Sequence, residues 1–498
     1  MKSGMVFVLI FILAVMCISV PDAFATNGMN MEGYGPIAHA MGGASFGYWN
    51  GTAAMMGNPA TLSFLKDDYW VDLALGFLGP DVDATVTTPM GAMEAESLSD
   101  AFYMPALGFL MRRGEMTFGL GVFSQGGMGT EFGNDSWMAD PSMGQNSALE
   151  SGLVNRSEVG VGRVIVPFTY DVNEKFSIGA SIDFVWAGMD LQMGMSATQF
   201  ENLANPMAQT IGTISGSMAE SFGMMYEPFG GTGIQELHHA YFDFTNDSDF
   251  SGEAKGTGFA GKIGAVYNVN PKLTLGATYH SKTILGDLET DNASMSMGVN
   301  IDDGVLMGGA PSGNYVDYIM DVSGKITVKD FEWPAMFGIG AALEATDRLM
   351  IACDLKMIQW SSVMEDFKLV FEADNVATNG GFAGQELNAT LFQNWDDQFV
   401  ISIGGAFDVT EALVIRAGYN YGKNPVPDKY LNALFPAIVE NHITFGAGYY
   451  FSENRAVNLS MVTATSAEFE NPGDGSDIPP VESTHSQFNW QLMFSTGF

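Results

Sequence analysis

Basic residues and cysteines are scarce in this chain of 498 residues. Lys and Arg number 20 against 57 Asp and Glu, a formal net charge of −37. A surface of that sign repels phosphate, which excludes nucleic acid as a partner. Of the two cysteines, Cys17 falls in the leader described below, which leaves Cys353 without a mate and excludes an intramolecular disulfide. Beyond residues 1–25 there is no run of about 20 apolar residues, so the body of the chain holds no helical membrane span. Histidine is sparse too, at six. The adjacent pair His238–His239 lacks the spacing of a helical metal pair, and no Ser and His can be matched into a hydrolase site. No metal, no cofactor and no enzyme activity are expected.

Lys2, the apolar run Met5–Val20 and Ala23-Phe24-Ala25 read as a secretory signal peptide over residues 1–25, cleaved after Ala25. Met16 is too large for the position before a lipoprotein cysteine, which argues against lipidation at Cys17. Export without disulfides fits a bacterial envelope protein.

What the chain does have is alternation. In the last segment Phe488, Trp490, Leu492, Phe494 and Phe498 share one parity, while Gln487, Asn489, Gln491, Ser495 and Gly497 share the other. A strand sends successive side chains to opposite faces, so this one has a greasy face and a wet face. That suits either a soluble sandwich or a membrane wall with lipid outside and water inside. Similar stretches fall near 69–79, 102–112, 115–125, 158–171, 174–194, 256–269, 272–283, 322–344, 347–371, 396–408, 411–422, 441–451, 455–465 and 486–498, which predicts fourteen strands. Tight turns alternate with long segments near 80–101, 126–157, 195–255, 284–321, 372–395, 423–440 and 466–485. Segregated loop lengths belong to a transmembrane barrel and not to a sandwich. Acidity collects in the long segments: 466–485 and 284–321 contain Asp and Glu but no Lys or Arg. They read as solvated loops, or as carboxylates bridged by hard cations to anionic outer-surface lipid such as lipopolysaccharide. The fold class is thus all-β, a 14-stranded antiparallel transmembrane barrel over 66–498, in the outer membrane.

Residues 26–65 do not alternate, are rich in Gly, Ala and Met, and contain Glu32 as their one acidic residue. A segment so poor in charge is expected to fill the lumen as a hatch. Its motif NG…G…GP..HAMGGAS…W..GTAAMMGNPATL resembles the N-terminal signature of the FadL/TodX family of outer-membrane transporters for long-chain fatty acids and hydrocarbons. GFAGKIGAVYNVNPKLTLGATYHSKT, WPAMFGIGAALEATDRLMIACDLKMIQWSSV, QNWDDQFVISIGGAFDVTEALVIRAGYNYGKNPVPD and NHITFGAGYYF continue the resemblance in order. It implies passive uptake of a hydrophobic molecule, held near the hatch and released sideways through a gap in the wall. It also implies that Asn58, Pro59 and Ala60 lie beside that gap, at a kink in the third strand near Glu115–Gln125. Gly119, Gly121, Gly126 and Gly127 are the positions where that strand bends at little cost, or where it packs tightly on the hatch.

Three further features bear on function. Leu203, Met207, Ile211, Ile214, Met218 and Phe222 recur every three or four residues, one face of an amphipathic helix that is either core or an outer hydrophobic groove. Lys262, His280 and Arg416, on inward parities, either meet a substrate carboxylate or pair with lumen acids. Phe498, an aromatic end to the last strand, is the expected contact for the barrel-assembly machinery, and a monomer is expected. The alternative to a transporter is a porin-like channel for small polar solutes, or a surface-binding barrel.

Overall fold

A computed structural model describes residues 27–89, 91–141, 152–245, 253–474 and 478–498. The signal-peptide segment 1–25 lies outside the described residues.

Alternation produces strands along most of the chain. In order they are β1 (Tyr69–Thr88), β2 (Gly91–Glu96), β3 (Phe102–Arg113), β4 (Met116–Phe132), β5 (Asn155–Asn173) and β6 (Phe176–Ser196). Next come β7 (Gly212–Ser215), β8 (Ile234–Asp243), β9 (Ala254–Asn270), β10 (Leu273–His280), β11 (Ile284–Leu285) and β12 (Leu288–Asp302). Then follow β13 (Tyr315–Lys329), β14 (Met336–Thr346), β15 (Leu349–Ile358), β16 (Asp366–Ala373) and β17 (Glu386–Phe392). The last are β18 (Gln398–Asp408), β19 (Leu413–Gly422), β20 (Asn441–Ser452), β21 (Arg455–Asn471) and β22 (Val481–Gly497).

Antiparallel pairing runs β1–β3–β4–β5–β6–β9–β10–β14–β15–β18–β19–β20–β21–β22 and returns from β22 to β1. Closure removes every edge from this wall, as a strand structure in lipid requires. Its outward parity is apolar and exposed, as at Leu73, Phe109, Ile182, Ile263, Ile339, Phe445 and Phe494. Its inward parity is polar and buried, as at Asn420, Thr444, Ser460 and Asn489.

The predicted inventory of fourteen strands is corrected: the described residues form one sheet of twenty-two. The difference lies in the long segments, which are not plain loops. β8, β12, β13, β16, β17 and β7 pair onward from one another beyond the wall, on the side away from the tight turns. The strands predicted over 322–344 and 347–371 each break in two. Pro334 has no N–H for a ladder, and Asp330 and the Trp360–Ser362 turn bend the chain inward. The outer strands enclose a core that includes Phe242, Met295, Met297, Val322 and Phe371.

Residues 27–65 sit inside the wall as a short helix, Gly35–His39, and two 3-10 turns, Gly51–Met55 and Pro59–Phe64. The lack of charge in this segment has a structural reason: the wall supplies the charges, and the segment supplies backbone to meet them. Asp354 Oδ2 accepts from the amides of Ser45 and Phe46 at 2.6 and 3.1 Å, and Asp72 Oδ2 from that of Thr52 at 2.6 Å. Lys356 Nζ donates to the carbonyls of Glu32 and Gly43 at 3.2 and 3.0 Å. Wall glycines allow the approach: a Cβ on Gly276 would stand 1.8 Å from the Phe46 carbonyl oxygen. Gly276→Val is therefore expected to loosen the segment by about 1–3 kcal/mol while the wall still closes. Hydrogen exchange at Ser45–Phe46, faster than in the wild type, is the measurement that checks it.

Candidate functional site: a route from an outer groove to a gap in the wall

β3 and β4 pair only from Arg113↔Met116 to Leu107↔Val122. Above that level β3 keeps β1 alone, while β4 bulges between Ser124 and Gly126 and keeps β5 alone. The two sides meet again at the Ser97↔Phe132 bridge, which leaves a window in the wall. Met104, Ala106, Gly108, Phe123 and Ser124 frame it, and Met31, Tyr34, Thr52 and Ala53 back it, around about 480 Å³ of space, open mouth included. The four candidate glycines divide. Gly126, at φ +155°, and Gly127 form the bend, while Gly119 and Gly121 pack against Met55.

Asn58, Pro59 and Ala60 are placed elsewhere, which corrects their expected position beside the window. Asn58 Nδ2 donates to the carbonyls of Phe46 and Ala265 at 2.9 and 3.2 Å, and Thr169 Oγ1 donates to the Pro59 carbonyl at 2.8 Å. Gly179 approaches Pro59 and Ala60 closely. The element thus docks the segment on β5, β6 and β9.

The residue that joins the segment to the bend is Asn30, which the sequence did not single out. Its Oδ1 accepts from Trp333 Nε1 at 2.8 Å and from Gln125 Nε2 at 2.7 Å, and its backbone bridges Gly126. Tyr34 OH donates to the Gln125 carbonyl at 2.6 Å, within the bulge. Asn30→Ala leaves the Trp333 indole N–H without an acceptor, a cost of about 1–3 kcal/mol, and Gln125 Nε2 with Tyr34 OH alone. It is expected to speed hydrogen exchange over 27–34 and leave the thermal unfolding of the barrel in place.

Three further cavities lie in the barrel and above it, one adjoining the window and two adjoining each other. A polar pocket with a cavity volume of about 40 Å³ shares Met31, Tyr34 and Ala53 with the window, and is lined also by Asn27, Asn50, Arg163, His280, Trp333 and Lys356. Beyond Asn30, with Met29 at its floor, lies a tightly packed apolar pocket with a cavity volume of about 30 Å³. Met128, Met189, Met193, Met364, Phe331, Phe367, Trp395 and Phe435 line it, with Gln393 and Asn432 as its polar members and no ionisable group. Met193, Leu391, Gln393 and Asn432 also line an outer groove of about 1830 Å³, open mouth included.

Among the predicted groove residues, Leu203 and Ile211 line this groove. Ile214, Met218 and Phe222 are buried in the outer core, and Met207 is exposed. The single amphipathic helix expected there is replaced by helices Ala197–Ala204 and Ser217–Met225 with β7 between them. Asn205-Pro206 ends the first, and Gly216 at φ +103° turns the chain into the second.

The predicted carboxylate contacts lie away from the apolar chamber. Lys262 ion-pairs with Asp183, which also takes Arg163 at 3.0 Å. Arg416 Nη1 donates to Asn458 Oδ1 at 3.1 Å, and His280 Nε2 meets the Gly57 carbonyl at 2.6 Å and lines the polar chamber. In the segment itself, burial alone would raise the Glu32 carboxyl, but the ion pair with His39 at 2.5 Å overrides it and holds it to about 2. At the outer rim burial and the neighbouring Glu468 and Glu470 push Glu482 upward, as expected where acids gather without cations.

The sequence matches the family described as outer membrane protein transport protein (OMPP1/FadL/TodX) over residues 12–491. The toluene transporter TodX of P. putida is similar in structure at a TM-score of 0.75 and 28% identity, covering 94% of this chain and 99% of that one. The toluene transporter TbuX of Ralstonia pickettii gives 0.70 and 26%, over 94% and 99%. A FadL homologue of Pseudomonas aeruginosa shares the fold at 0.67 and 15%, over 95% and 100%. A putative outer membrane protein of Neisseria meningitidis serogroup B is 23% identical over 224 residues, 43% of this chain and 44% of that protein. An uncharacterized protein of Chlorobium limicola is 40% identical over 96 residues, 17% of this chain and 47% of that protein. The chain thus spans about half the length of these curated relatives.

Proposed function

This chain belongs to the OMPP1/FadL/TodX family of outer-membrane transport proteins, transport channels and not enzymes, and we propose that it passes small uncharged hydrophobic molecules into the outer membrane by diffusion. The observation that carries this reading is the apolar chamber, which contains no ionisable group. Burial at about 25 cal/mol per Å² of apolar surface draws a ring or short chain from the groove into it as the flexible Met side chains of its lining part to make room. A carboxylate there would lose its water with no cation to receive it, an uncompensated cost. The ligand then moves past Asn30 and leaves sideways through the β3–β4 window, with residues 27–65 acting as a hatch. The similarity to two toluene transporters supports an aromatic hydrocarbon as the cargo.

A porin-like role is disfavoured because the hatch backbone is bonded into the wall on several sides. Phe498 stacks on Tyr69 at the turn-side rim with its ring largely exposed, which supports contact with assembly machinery, and the acids of 466–485 and 284–321 support contact with lipopolysaccharide through hard cations. The test is uptake of labelled toluene and labelled oleate by cells with and without the chain. Loss of toluene uptake with oleate retained is expected; normal toluene uptake without the protein would sink the reading.

A further inference from the structure

The outer groove has a cavity volume of about 500 Å³, where roughly 150 Å³ admits benzene. Most of the polar side chains that line it are spent on neighbours. Asn155 bonds the Met138 carbonyl and the Gly194 amide, and Asn471 the Leu431 carbonyl and the Gly473 amide. Ser196 and Gln199 form a capping box, and Thr210 is held by Asn202. At the inner end, where the groove meets the apolar pocket, stand Met193, Leu391, Gln393 and Asn432. Two amide groups are left over there: the Gln393 carboxamide and Asn432 Nδ2 have no hydrogen-bond partner among the described residues.

Both residues are half-buried, and Asn432 is fixed in place. Its Oδ1 accepts from the Leu434 amide at 2.9 Å, and its carbonyl from the Phe435 amide at 2.9 Å. Asn471 Nδ2 donates to the Leu431 carbonyl at 2.8 Å and Thr130 Oγ1 to the Leu434 carbonyl at 3.1 Å, which ties the turn to β21 and β4. With its oxygen occupied, the Asn432 side chain offers the groove donors alone. We propose that the inner end of the groove is a binding subsite for the acceptor oxygen of a neutral aromatic molecule, an aryl ketone or ether, held by Asn432 Nδ2 with Gln393 as an adjustable second contact. The inference rests on the transport reading above and adds a ligand class at the entry to the same route.

A ketone or ether oxygen accepts hydrogen bonds and donates none, which matches an amide whose own oxygen is used. The ring then lies against Met193 and Leu391, and a thioether packs favourably on an aromatic ring. A hydrocarbon in the same seat displaces water and leaves the Asn432 N–H unpaired. A carboxylate also accepts, but the four residues of the junction include no cation to receive its charge. Because the turn already holds Asn432, little ordering is lost when the ligand arrives.

Acetophenone and α-methylstyrene are near in shape and differ by one acceptor oxygen. Their affinities for the intact protein in lipid nanodiscs are compared by calorimetry, with empty nanodiscs subtracted. Asn432→Asp keeps the oxygen that the Leu434 amide needs and removes the donor. It is expected to lower the acetophenone-to-α-methylstyrene affinity ratio about tenfold. An unchanged ratio, with both compounds bound, overturns this proposal and leaves the transport reading standing. No binding of either compound to the wild-type protein overturns both. Should the variant not fold, crystals of the wild-type protein grown with 4-bromoacetophenone decide. A bromine peak in the groove with the carbonyl on Asn432 Nδ2 is expected, and a carbonyl turned away from both amides overturns the proposal.

Discussion

Deletion of residues 26–65 is expected to turn an electrically silent barrel into an open pore. The wall closes through its own ladders, from Trp70↔Gly497 on one side to Val86↔Val481 at the top of the same pair, and none of these bonds involves the deleted segment. Asp72, Asp354, Lys356 and Asn420 lose backbone partners in the segment, but they then face water, so no charge is left buried and unpaired. The lumen that remains is polar and continuous, as in barrels that conduct. A steady current in a planar bilayer, absent in the wild type, is the expected reading; no increase would mean that the segment is not what blocks the lumen.

Ala106→Trp is expected to stop hydrophobic uptake without opening a pore. Ala106 faces inward at the last unpaired level of β3, above Leu107↔Val122, where the window begins. An indole there fills the space between Met104 and Phe123. Overpacking of about 1–3 kcal/mol on the path corresponds to a roughly 5- to 150-fold slower passage. The wall below is untouched, so thermal stability should change little. Toluene uptake by cells carrying the variant checks this, and wild-type rates would place the exit elsewhere.

Much of the wall could be read from sequence because its signal is local. Phe488, Leu492 and Phe494 point to lipid and Gln487, Asn489 and Gln491 inward, as their parity predicts. The tight turns read from sequence near 112–115, 171–174, 268–272, 344–348, 408–411 and 451–455 join β3–β4, β5–β6, β9–β10, β14–β15, β18–β19 and β20–β21. The outer strands carry the same signal: Met295, Met297, Val299 and Ile301 are buried along β12. The acids around them suggested a loop, and parity does not tell which layer a strand joins. The groove helix failed for another reason, since Pro206 and Gly216 interrupt a spacing that looks continuous when apolar positions alone are counted. The Asn30 junction had no local signal at all. Its partners Gln125 and Trp333 lie 95 and 303 residues away along the chain. Asn58-Pro59-Ala60 was expected beside the gap; its docking on β5, β6 and β9 depends on Gly179 and Gly264 coming close in space.

Sideways release through the β3–β4 window is the central claim, and photolabelling with a diazirine-bearing toluene tests it most directly. Adducts mapped by mass spectrometry should fall in the apolar chamber, at Met29, Met193 and Phe367, and at the window, on Met104, Ala106 and Phe123. Adducts among the inward residues on the turn side of the hatch, with the window unlabelled, would contradict it.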